Sequence, residues 1–109
     1  MIGALDEVIT IERRTREADG AGGTRDAWAA LAEDAQPFAR VDLGGPAEVE
    51  RAGRRIATQA ATFTIRDRTD LTASDRIRWD GRIWNITGFT KPVARARYLR
   101  VQAVAGEAS

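Results

Sequence analysis

Apolar and polar residues alternate along most of this chain with a period of two, the pattern of strands that bury one face. The clearest example is Arg76–Gly88, where Asp80-Gly81 joins two alternating runs. An Asp-Gly pair between such runs is the strongest short-range signal for a two-residue type I′ turn, because both central residues need a positive φ. We therefore predict a β-hairpin in which Trp79 lies directly opposite Arg82.

One face of this hairpin is strongly apolar. Directly opposed residues of an antiparallel pair share a face, so Ile77 and Trp84 are expected side by side. Two tryptophans and two isoleucines left in water would be an aggregation hazard, which makes this the core face. We expect Arg82, at the edge of the same face, to lay its guanidinium over Trp79. The predicted core residues of the hairpin are Ile77, Trp79, Trp84 and Ile86.

Other alternating stretches predict further strands. The polar, glycine-rich stretch Thr15–Arg25 is predicted to be a flexible loop, and Ala27–Ala35 fits either a short helix or a strand. Short strands at regular spacing favour a barrel or a sandwich. Alternation is otherwise clearest in Val8–Arg13, Pro37–Leu43, Thr58–Arg66 and Ala96–Val104.

The stretch Pro46–Ala57 favours a helix instead. Gly45 suits the N-cap, Pro46 suits the first helical position, and glutamates precede arginines in the order that the helix dipole prefers. Gly53 would weaken this helix by about 1 kcal/mol relative to alanine. The predicted fold is mainly β, a single domain over residues 1–109. We expect a small antiparallel β-barrel or sandwich of about six strands with one short inserted helix or loop.

Composition argues against several functional classes. The chain has no cysteine and no histidine, so thiol nucleophiles, the commonest general base and the usual zinc ligands are missing. The glycines near position 20 lack the lysine of a P-loop, and Asp67, Asp70 and Asp75 do not match EF-hand spacing. We expect no catalytic, metal or cofactor site, with an enzyme using carboxylates alone as a weak alternative. No apolar run approaches the roughly 20 residues that span a bilayer, so no membrane partner is expected.

Charge is distributed unevenly along the chain. Residues 1–45 carry nine acidic residues and five arginines, whereas residues 46–100 carry twelve basic and six acidic residues. This asymmetry permits an acidic face of one subunit to meet a basic face of the next. An alternative class is a small cytoplasmic β-barrel that binds nucleic acid, with arginines near Trp79 following the phosphate backbone. The arginines of that alternative are Arg66, Arg68, Arg76 and Arg78.

A series of short motifs follows the predicted elements in order. They are I-T-I-E-R-R from Ile9, Trp28, F-A-R-V from Phe38, a Gly-Gly-Pro-initiated insertion with Glu48, F-T-I-R-D-R from Phe63, D-G-R-I-W-N-I from Asp80 and Y-L-R-V from Tyr98. This order resembles the head–tail joining proteins of long-tailed bacteriophages, also called head-closure or stopper proteins, and their relatives in gene transfer agents. The similarity runs from about Val8 to Val104 and favours a strand beginning at Trp28.

The resemblance implies a non-enzymatic structural protein of a virion or gene transfer agent particle, assembled in the bacterial cytoplasm. It implies a small β-barrel and a homo-oligomeric ring, commonly a dodecamer or hexamer, beneath the portal. The implied partners are a portal-adaptor protein on the head side and a tail terminator or tail tube protein on the tail side. Packaged double-stranded DNA would occupy the channel, which the ring extends and closes until delivery.

Within such a ring we expect the insertion at 44–56 to project toward the channel or an adjacent subunit. The arginines of the insertion are expected to approach DNA phosphate without reading sequence, although a solvated helix face explains them equally well. The DNA-facing candidates are Arg51, Arg54 and Arg55. The full set of channel or subunit-interface candidates is Glu48, Glu50, Arg51, Arg54 and Arg55.

Overall fold

A computed structural model describes residues 5–51, 53–91 and 96–106, with the backbone alone for residues 46–51, 54–57 and 106. Every regular element in these ranges is a β-strand, and neighbouring strands pair antiparallel. The mainly-β class is confirmed, with eight strands where about six were predicted. The strands are β1 (Glu7–Val8), β2 (Thr10–Ala18), β3 (Thr24–Ala30), β4 (Phe38–Arg51), β5 (Arg54–Arg66), β6 (Arg76–Trp79), β7 (Arg82–Thr90) and β8 (Tyr98–Gly106).

The N-terminal segment curls the sheet into a barrel. The strand order is β1-β4-β5-β8-β7-β6-β2-β3. β1 pairs with β4 while β2 pairs with β6, although Ile9 alone separates β1 from β2 along the chain. The backbone N–H groups of Ile9 and Ile11 also donate to the carbonyl oxygens of Pro37 and Ala35, at 3.2 and 2.7 Å. One nearly continuous segment therefore joins the two sides of the sheet.

Two hairpins extend beyond the barrel. The β2–β3 arm, residues 13–29, continues past Glu12, the last residue of β2 that pairs with β6. The β4–β5 arm, residues 44–57, continues past Thr58, which pairs with the last residue of β8. The first arm leaves beside the β5–β6 connection and the second lies at the opposite end of β5, so the arms leave opposite ends of the barrel. The molecule measures 52 × 35 × 25 Å.

The barrel interior is filled by side chains from alternate positions of the strands. Phe63 of β5 lies at its centre, with edge-to-face contacts to Trp84 and Trp79 at centroid distances of 5.5 and 5.9 Å. Burial of large apolar side chains contributes about 1.5–3 kcal/mol each relative to exposure, so this cluster is the main source of stability. The largest fully buried side chains are Trp84, Phe63, Ile9, Ile11, Ile65, Ile77 and Val101.

The β6–β7 hairpin has the predicted register. Trp79 pairs with Arg82, and Asp80 and Gly81 have φ values of 55° and 71°, as a type I′ turn requires. The expected stacking of Arg82 on Trp79 is wrong, since its guanidinium lies 5.0 Å from the Trp84 ring instead. The reason is that Trp79 turns toward Phe63 and donates its Nε1–H to Glu7 at 3.2 Å.

The predicted inserted helix at Pro46–Ala57 is wrong. These residues belong to β4 and β5, which stay paired from Arg40 opposite Thr64 out to Arg51 opposite Arg54, with a bulge between Leu43 and Pro46. The ladder is already formed inside the barrel, so each further pair extends it, whereas a helix needs a costly new nucleus. The sequence has good helix formers here, and the existing ladder prevails over them.

The predicted flexible loop at Thr15–Arg25 is also a hairpin. β2 runs to Ala18 and β3 starts at Thr24, so the connection is residues 19–23. Asp19 holds this turn, because its Oδ1 accepts the backbone N–H groups of Ala21 and Gly23 at 2.8 and 3.0 Å. These two bonds lower the pKa of the Asp19 carboxyl. The strand expected to begin at Trp28 is confirmed as part of β3, which begins four residues earlier.

Candidate assembly surfaces

The five residues predicted to face a channel or a neighbouring subunit lie at the tip of the β4–β5 arm. In the backbone register Glu48 pairs with Ala57, Glu50 with Arg55, and Arg51 with Arg54. The side chains of these residues lie outside the part of the chain that the structure describes. The register thus brings Glu48, Glu50, Arg51, Arg54 and Arg55 together on one two-stranded tip.

The base of this arm is a close approach between β4 and β5. A Cβ added to Gly44 would lie 3.3 Å from the Cβ of Ala60, closer than side chains normally approach. The Gln59 amide donates to the carbonyl oxygen of Gly44 and, at 3.2 Å, to that of Ala60. Leu43, the residue before Gly44, is 60% exposed. It lies on the same face of β4 that is buried farther inside the barrel. The arm therefore leaves the barrel through a fixed base with an exposed apolar residue beside it.

An exposed apolar pair lies where β1 meets β4. Val8 and Phe38 are directly opposed, and they are 51% and 59% exposed. Large apolar side chains exposed together on a small protein commonly mark a protein interface. The sequence motif F-A-R-V contains Phe38, but alternation there points Ala39 and Val41 inward and leaves Phe38 outside. Alternation with Ala39 was the signal that could have identified Phe38 as exposed.

A pocket of 570 Å³ adjoins this pair. It lies between the β3–β4 connection and the start of the β5–β6 connection, at the end of the barrel from which the β2–β3 arm leaves. Its walls combine apolar side chains with charges of both signs, which suits a protein or peptide surface better than a small apolar ligand. The lining residues include Leu5, Glu33, Phe38, Arg66, Asp67 and Arg68.

A buried ion pair fastens the β5–β6 connection to the β2–β3 arm. Arg13 contacts both carboxylate oxygens of Asp75 at 2.9 Å and donates to the carbonyl oxygen of Asp70 at 2.6 Å. Asp75 is 3% exposed and also accepts the backbone N–H of Thr72 at 2.9 Å. Burial alone would raise the pKa of Asp75, but these hydrogen bonds and the charge of Arg13 together lower it. Asp75 is therefore held ionised beneath the arm.

A second arginine fastens the rim of the pocket. Arg68 contacts the carboxylate of Asp70 at 2.6 and 2.7 Å and donates to the carbonyl oxygens of Asp34 and Glu33 at 2.7 and 3.1 Å. The hydrogen bond from Arg68 lowers the pKa of Asp70. The β3–β4 and β5–β6 connections are thus joined by a single side chain, which gives the pocket a defined wall.

Trp28 anchors the outer surface of the β2–β3 arm, a role that the sequence alone did not indicate. Its ring lies between two guanidinium groups, Arg76 at 4.1 Å and Arg14 at 5.5 Å from the ring centroid. Arg76 in turn contacts Glu12 at 2.7 Å, and Glu12 is 7% exposed. These contacts tie the arm to β6.

The arginines of the nucleic-acid alternative do not form a free basic surface. Arg68 is engaged by Asp70, and Arg76 and Arg78 both contact Glu12, at 2.7 and 3.7 Å. Trp79 is half-buried, packs against the core and contacts Phe63 and Trp84, so much of its ring is already engaged. Arg66 remains exposed, and among the described residues it has no ion-pair partner.

Two further features bear on function. Across residues 5–51, 53–91 and 96–106, no cluster of three or more acidic side chains could hold a metal ion. In the same part of the chain, no helix is long and apolar enough to cross a membrane. The described surface is instead one of arms, an apolar pair and charged side chains, which are features of assembly.

Comparison with known proteins shows similarity to a family and to a solved structure. Residues 1–106 match the family model described as phage head completion protein. A chain in the structure of the virion of a native gene transfer agent particle superposes with a TM-score of 0.74 at 24% sequence identity, covering 99% of this chain and 100% of that chain. No curated protein matches.

The structural match covers 99% of this chain and supports the overall fold. The family match covers nearly every residue of the chain, including the stretches in which the structure differs from the sequence-based expectation. The chain therefore belongs to the phage head completion protein family, and it is a structural protein of a phage-type head.

Proposed function

We propose that this protein is a head–tail connector subunit, a stopper or head-closure protein, of a tailed phage or gene transfer agent particle. Identical copies, each acting as one domain over residues 1–109, form a ring of twelve or six. The ring extends the portal channel, retains the packaged double-stranded DNA and docks the tail. Its neighbours are a portal-adaptor protein on the head side and a tail terminator or tail tube protein on the tail side.

The observation that carries this proposal is the placement of two hairpin arms at opposite ends of one barrel. A subunit that joins two different structures needs a contact on each side, and a two-stranded arm supplies one without altering the barrel. The β4–β5 arm has four residue pairs beyond Thr58, a reach of about 13 Å at 3.3 Å per residue. The family match and the likeness to a chain of a gene transfer agent virion favour the same role.

Ring formation needs a lateral contact as well. The exposed pair Val8 and Phe38 lies on the barrel wall, away from the tip of the β4–β5 arm, and suits contact with a neighbouring copy. Exposed large apolar side chains of this kind are typical of protein interfaces.

The tip of the β4–β5 arm is the part that we assign to the channel. Its backbone register pairs Glu50 with Arg55 and Arg51 with Arg54. An arm tip rich in arginine suits contact with the phosphates of any DNA sequence, as a channel must accept. In this proposal Arg51, Arg54 and Arg55 contact DNA, while Glu48 and Glu50 face the arginines of adjacent copies.

Electron microscopy of particles from a strain lacking this gene tests the proposal. We expect heads that are tailless or have lost their DNA, with complete particles restored when the wild-type gene is supplied. Normal tailed, DNA-filled particles without the gene would reject the connector role.

Complementation with variants tests the role of the arm tip. R54Q/R55Q is expected to give heads that leak DNA, because two phosphate contacts per subunit are removed. R78Q/R82Q removes the same charge from exposed residues beside the β6–β7 turn, at the same end of the barrel, and serves as the matched control. Equal DNA loss in both variants would show that the arm tip has no special role in retention.

A further inference from the structure

The outer wall of β4, β5 and β8 gathers several arginines. Phe63 and Ile65 point into the core, so Thr64 between them points outward. Thr64 lies opposite Arg40 of β4 on one side and opposite Arg100 of β8 on the other. The next outward position of β5 is also an arginine, which places three guanidinium groups on one small area of the wall.

The burial of Thr64 shows how these arginines lie. Thr64 points away from the core, yet it is 3% exposed. The register places Arg40 and Arg100 directly opposite Thr64 on the flanking strands, where their stems can cover it, since arginine lays its methylene groups on a neighbouring surface and keeps its guanidinium in water. Arg66 follows along β5, opposite Tyr98. We call Arg40, Thr64, Arg66, Tyr98 and Arg100 the arginine face.

The positive charge of this face is largely unneutralised. Arg66 and Arg100 are exposed, and neither has a carboxylate partner among the described residues. Arg40 contacts Asp42 at 3.2 Å, an exposed pair that salt and competing anions readily disrupt. Six other described arginines have carboxylate partners within 4 Å, whereas Arg14, Arg82 and Arg97 have none among the described residues. The six are Arg13, Arg16, Arg25, Arg68, Arg76 and Arg78.

The chemistry of the face fits phosphate better than protein. Tyr98 among the arginines is partly exposed, and a tyrosine hydroxyl can also donate to phosphate oxygens. The centre of a protein interface is apolar and depleted of charge, and here the exposed apolar residues Val8 and Phe38 lie at the margin of the face. Exposed guanidinium groups on neighbouring strands of the outer wall can meet an extended anion.

We propose that the arginine face binds the phosphate backbone of double-stranded DNA without reading its sequence. Arg40 and Arg100 lie two strands apart, about 10 Å at the usual strand spacing, which lets them reach separate phosphates. The inference goes beyond the proposed function by placing a DNA contact on the barrel wall in addition to the arm tip. It rests on that function only for the source of the DNA.

An NMR titration of the full ¹⁵N-labelled chain with a 20-base-pair duplex at 50 mM salt tests the location of binding. We expect the largest amide shifts along β5 and β8 around Thr64, Arg66 and Arg100, and little change in the β2–β3 arm. Shifts confined to the β4–β5 arm tip, or no shifts at any ratio, would overturn the proposal. Larger shifts of the same amides with poly-glutamate than with DNA would assign the face to an acidic protein partner instead.

Charge-matched variants test the contribution of the face. Each lost phosphate contact lowers the slope of log affinity against log salt by about 0.9, so R66Q/R100Q is expected to reduce the slope by about 2 and the affinity at 50 mM salt by about tenfold or more. R16Q/R25Q removes the same charge from the β2–β3 arm and is expected to change affinity by about twofold at most. Equal losses in the two variants would mean that net charge alone attracts DNA.

These measurements use purified protein and need no particles. Normal tailed particles in the absence of the gene, together with intact DNA binding by the arginine face, would reject the connector role alone. Defective particles without the gene, together with no amide shifts of the arginine face on addition of DNA, would reject DNA binding by this face and leave the connector role standing.

Discussion

The β6–β7 hairpin and the β4–β5 arm have almost the same backbone form, but only the first is evident in the sequence. Both are antiparallel with two-residue loops, and their loop glycines, Gly81 and Gly53, have φ values of 71° and 77°. The β6–β7 hairpin alternates clearly and carries an Asp-Gly turn. The arm carries alanine, glutamate and arginine, which favour a helix, and its strands result from a ladder that the barrel has already formed.

The two hairpins obtain their stability from different contacts. The β6–β7 hairpin buries Ile77 and Trp84 fully in the core. The arm extends past the end of β8 and its neighbours are chiefly its own two strands. We therefore expect the first hairpin to govern folding and the second to govern assembly, and the following predictions separate the two.

The largest effect is expected from truncation of Trp84. Trp84 is fully buried and contacts Phe63 and Trp79, so W84A should lower the free energy of unfolding by about 3–5 kcal/mol. L43A at the base of the arm, where Leu43 is 60% exposed, should lower it by about 0.5 kcal/mol or less. Urea denaturation followed by tryptophan fluorescence and circular dichroism measures both. Comparable losses would mean that the arm base belongs to the core.

A second prediction concerns how the other arm, β2–β3, is fastened. D75N removes the charge of a carboxylate that is 3% exposed, and it should lower the free energy of unfolding at pH 7 by about 2 kcal/mol, because the charge-assisted hydrogen bonds that this buried carboxylate accepts from Arg13 and from the Thr72 N–H are weakened or lost. D70N alters an exposed pair and should change it by less than about 1 kcal/mol. A loss for D70N as large as that for D75N would contradict this assignment.

The pH dependence of stability checks the same ion pair. The pKa of Asp75 is lower in the folded protein than in the unfolded chain, so its stabilisation is complete above the unfolded value of about 4. It is lost as the pH falls through the lowered folded value. The wild type should therefore lose stability below about pH 4 more steeply than D75N. Parallel acid profiles for the two proteins would show that Asp75 does not contribute.

The sequence predicted what depends on local pattern and left unpredicted what depends on distant contacts. Alternation and the Asp-Gly turn identified the core hairpin and the barrel class. The Arg13–Asp75 ion pair joins residues 62 positions apart, and no local sequence pattern predicts it. The Arg82 guanidinium lies over Trp84 and not over Trp79. The Trp79 ring is instead oriented by a hydrogen bond from its N–H to Glu7, a residue far away in sequence.

The sequence pointed to one segment as the candidate site and predicted the wrong local structure for it. The role assigned to the insertion carrying Arg54 and Arg55 stays a prediction. The helix expected there is wrong, because its strand structure follows from pairing inside the barrel and not from the helix propensity of its residues. Alternation with Ala39 could have identified Phe38 as outward-facing, but its place beside Val8 depends on the pairing of β1 with β4, which no local pattern indicates. Arg66 and Arg100 form one face only through the register of β5 with β8.

The smallest effects come from one substitution made in both hairpins. Gly81 and Gly53 have positive φ and no atom within 4 Å of an added Cβ, so alanine costs backbone strain of about 1 kcal/mol at either position. G81A should lower the global free energy of unfolding by that amount, because its turn is part of the core hairpin. G53A should lower it by less than about 0.3 kcal/mol, since the arm tip can open locally while the barrel stays folded.

Hydrogen exchange distinguishes this explanation from simple tolerance of alanine. In the wild type, the amides of Ile77 and Trp84 should exchange only through global unfolding, and those of the arm beyond Thr58 through local opening. G53A should speed exchange in the arm alone, whereas G81A should speed it throughout the barrel. If G53A instead lowered the global free energy of unfolding as much as G81A, the arm would be part of the cooperative unit. Its role in assembly could then no longer be separated from the folding of the barrel.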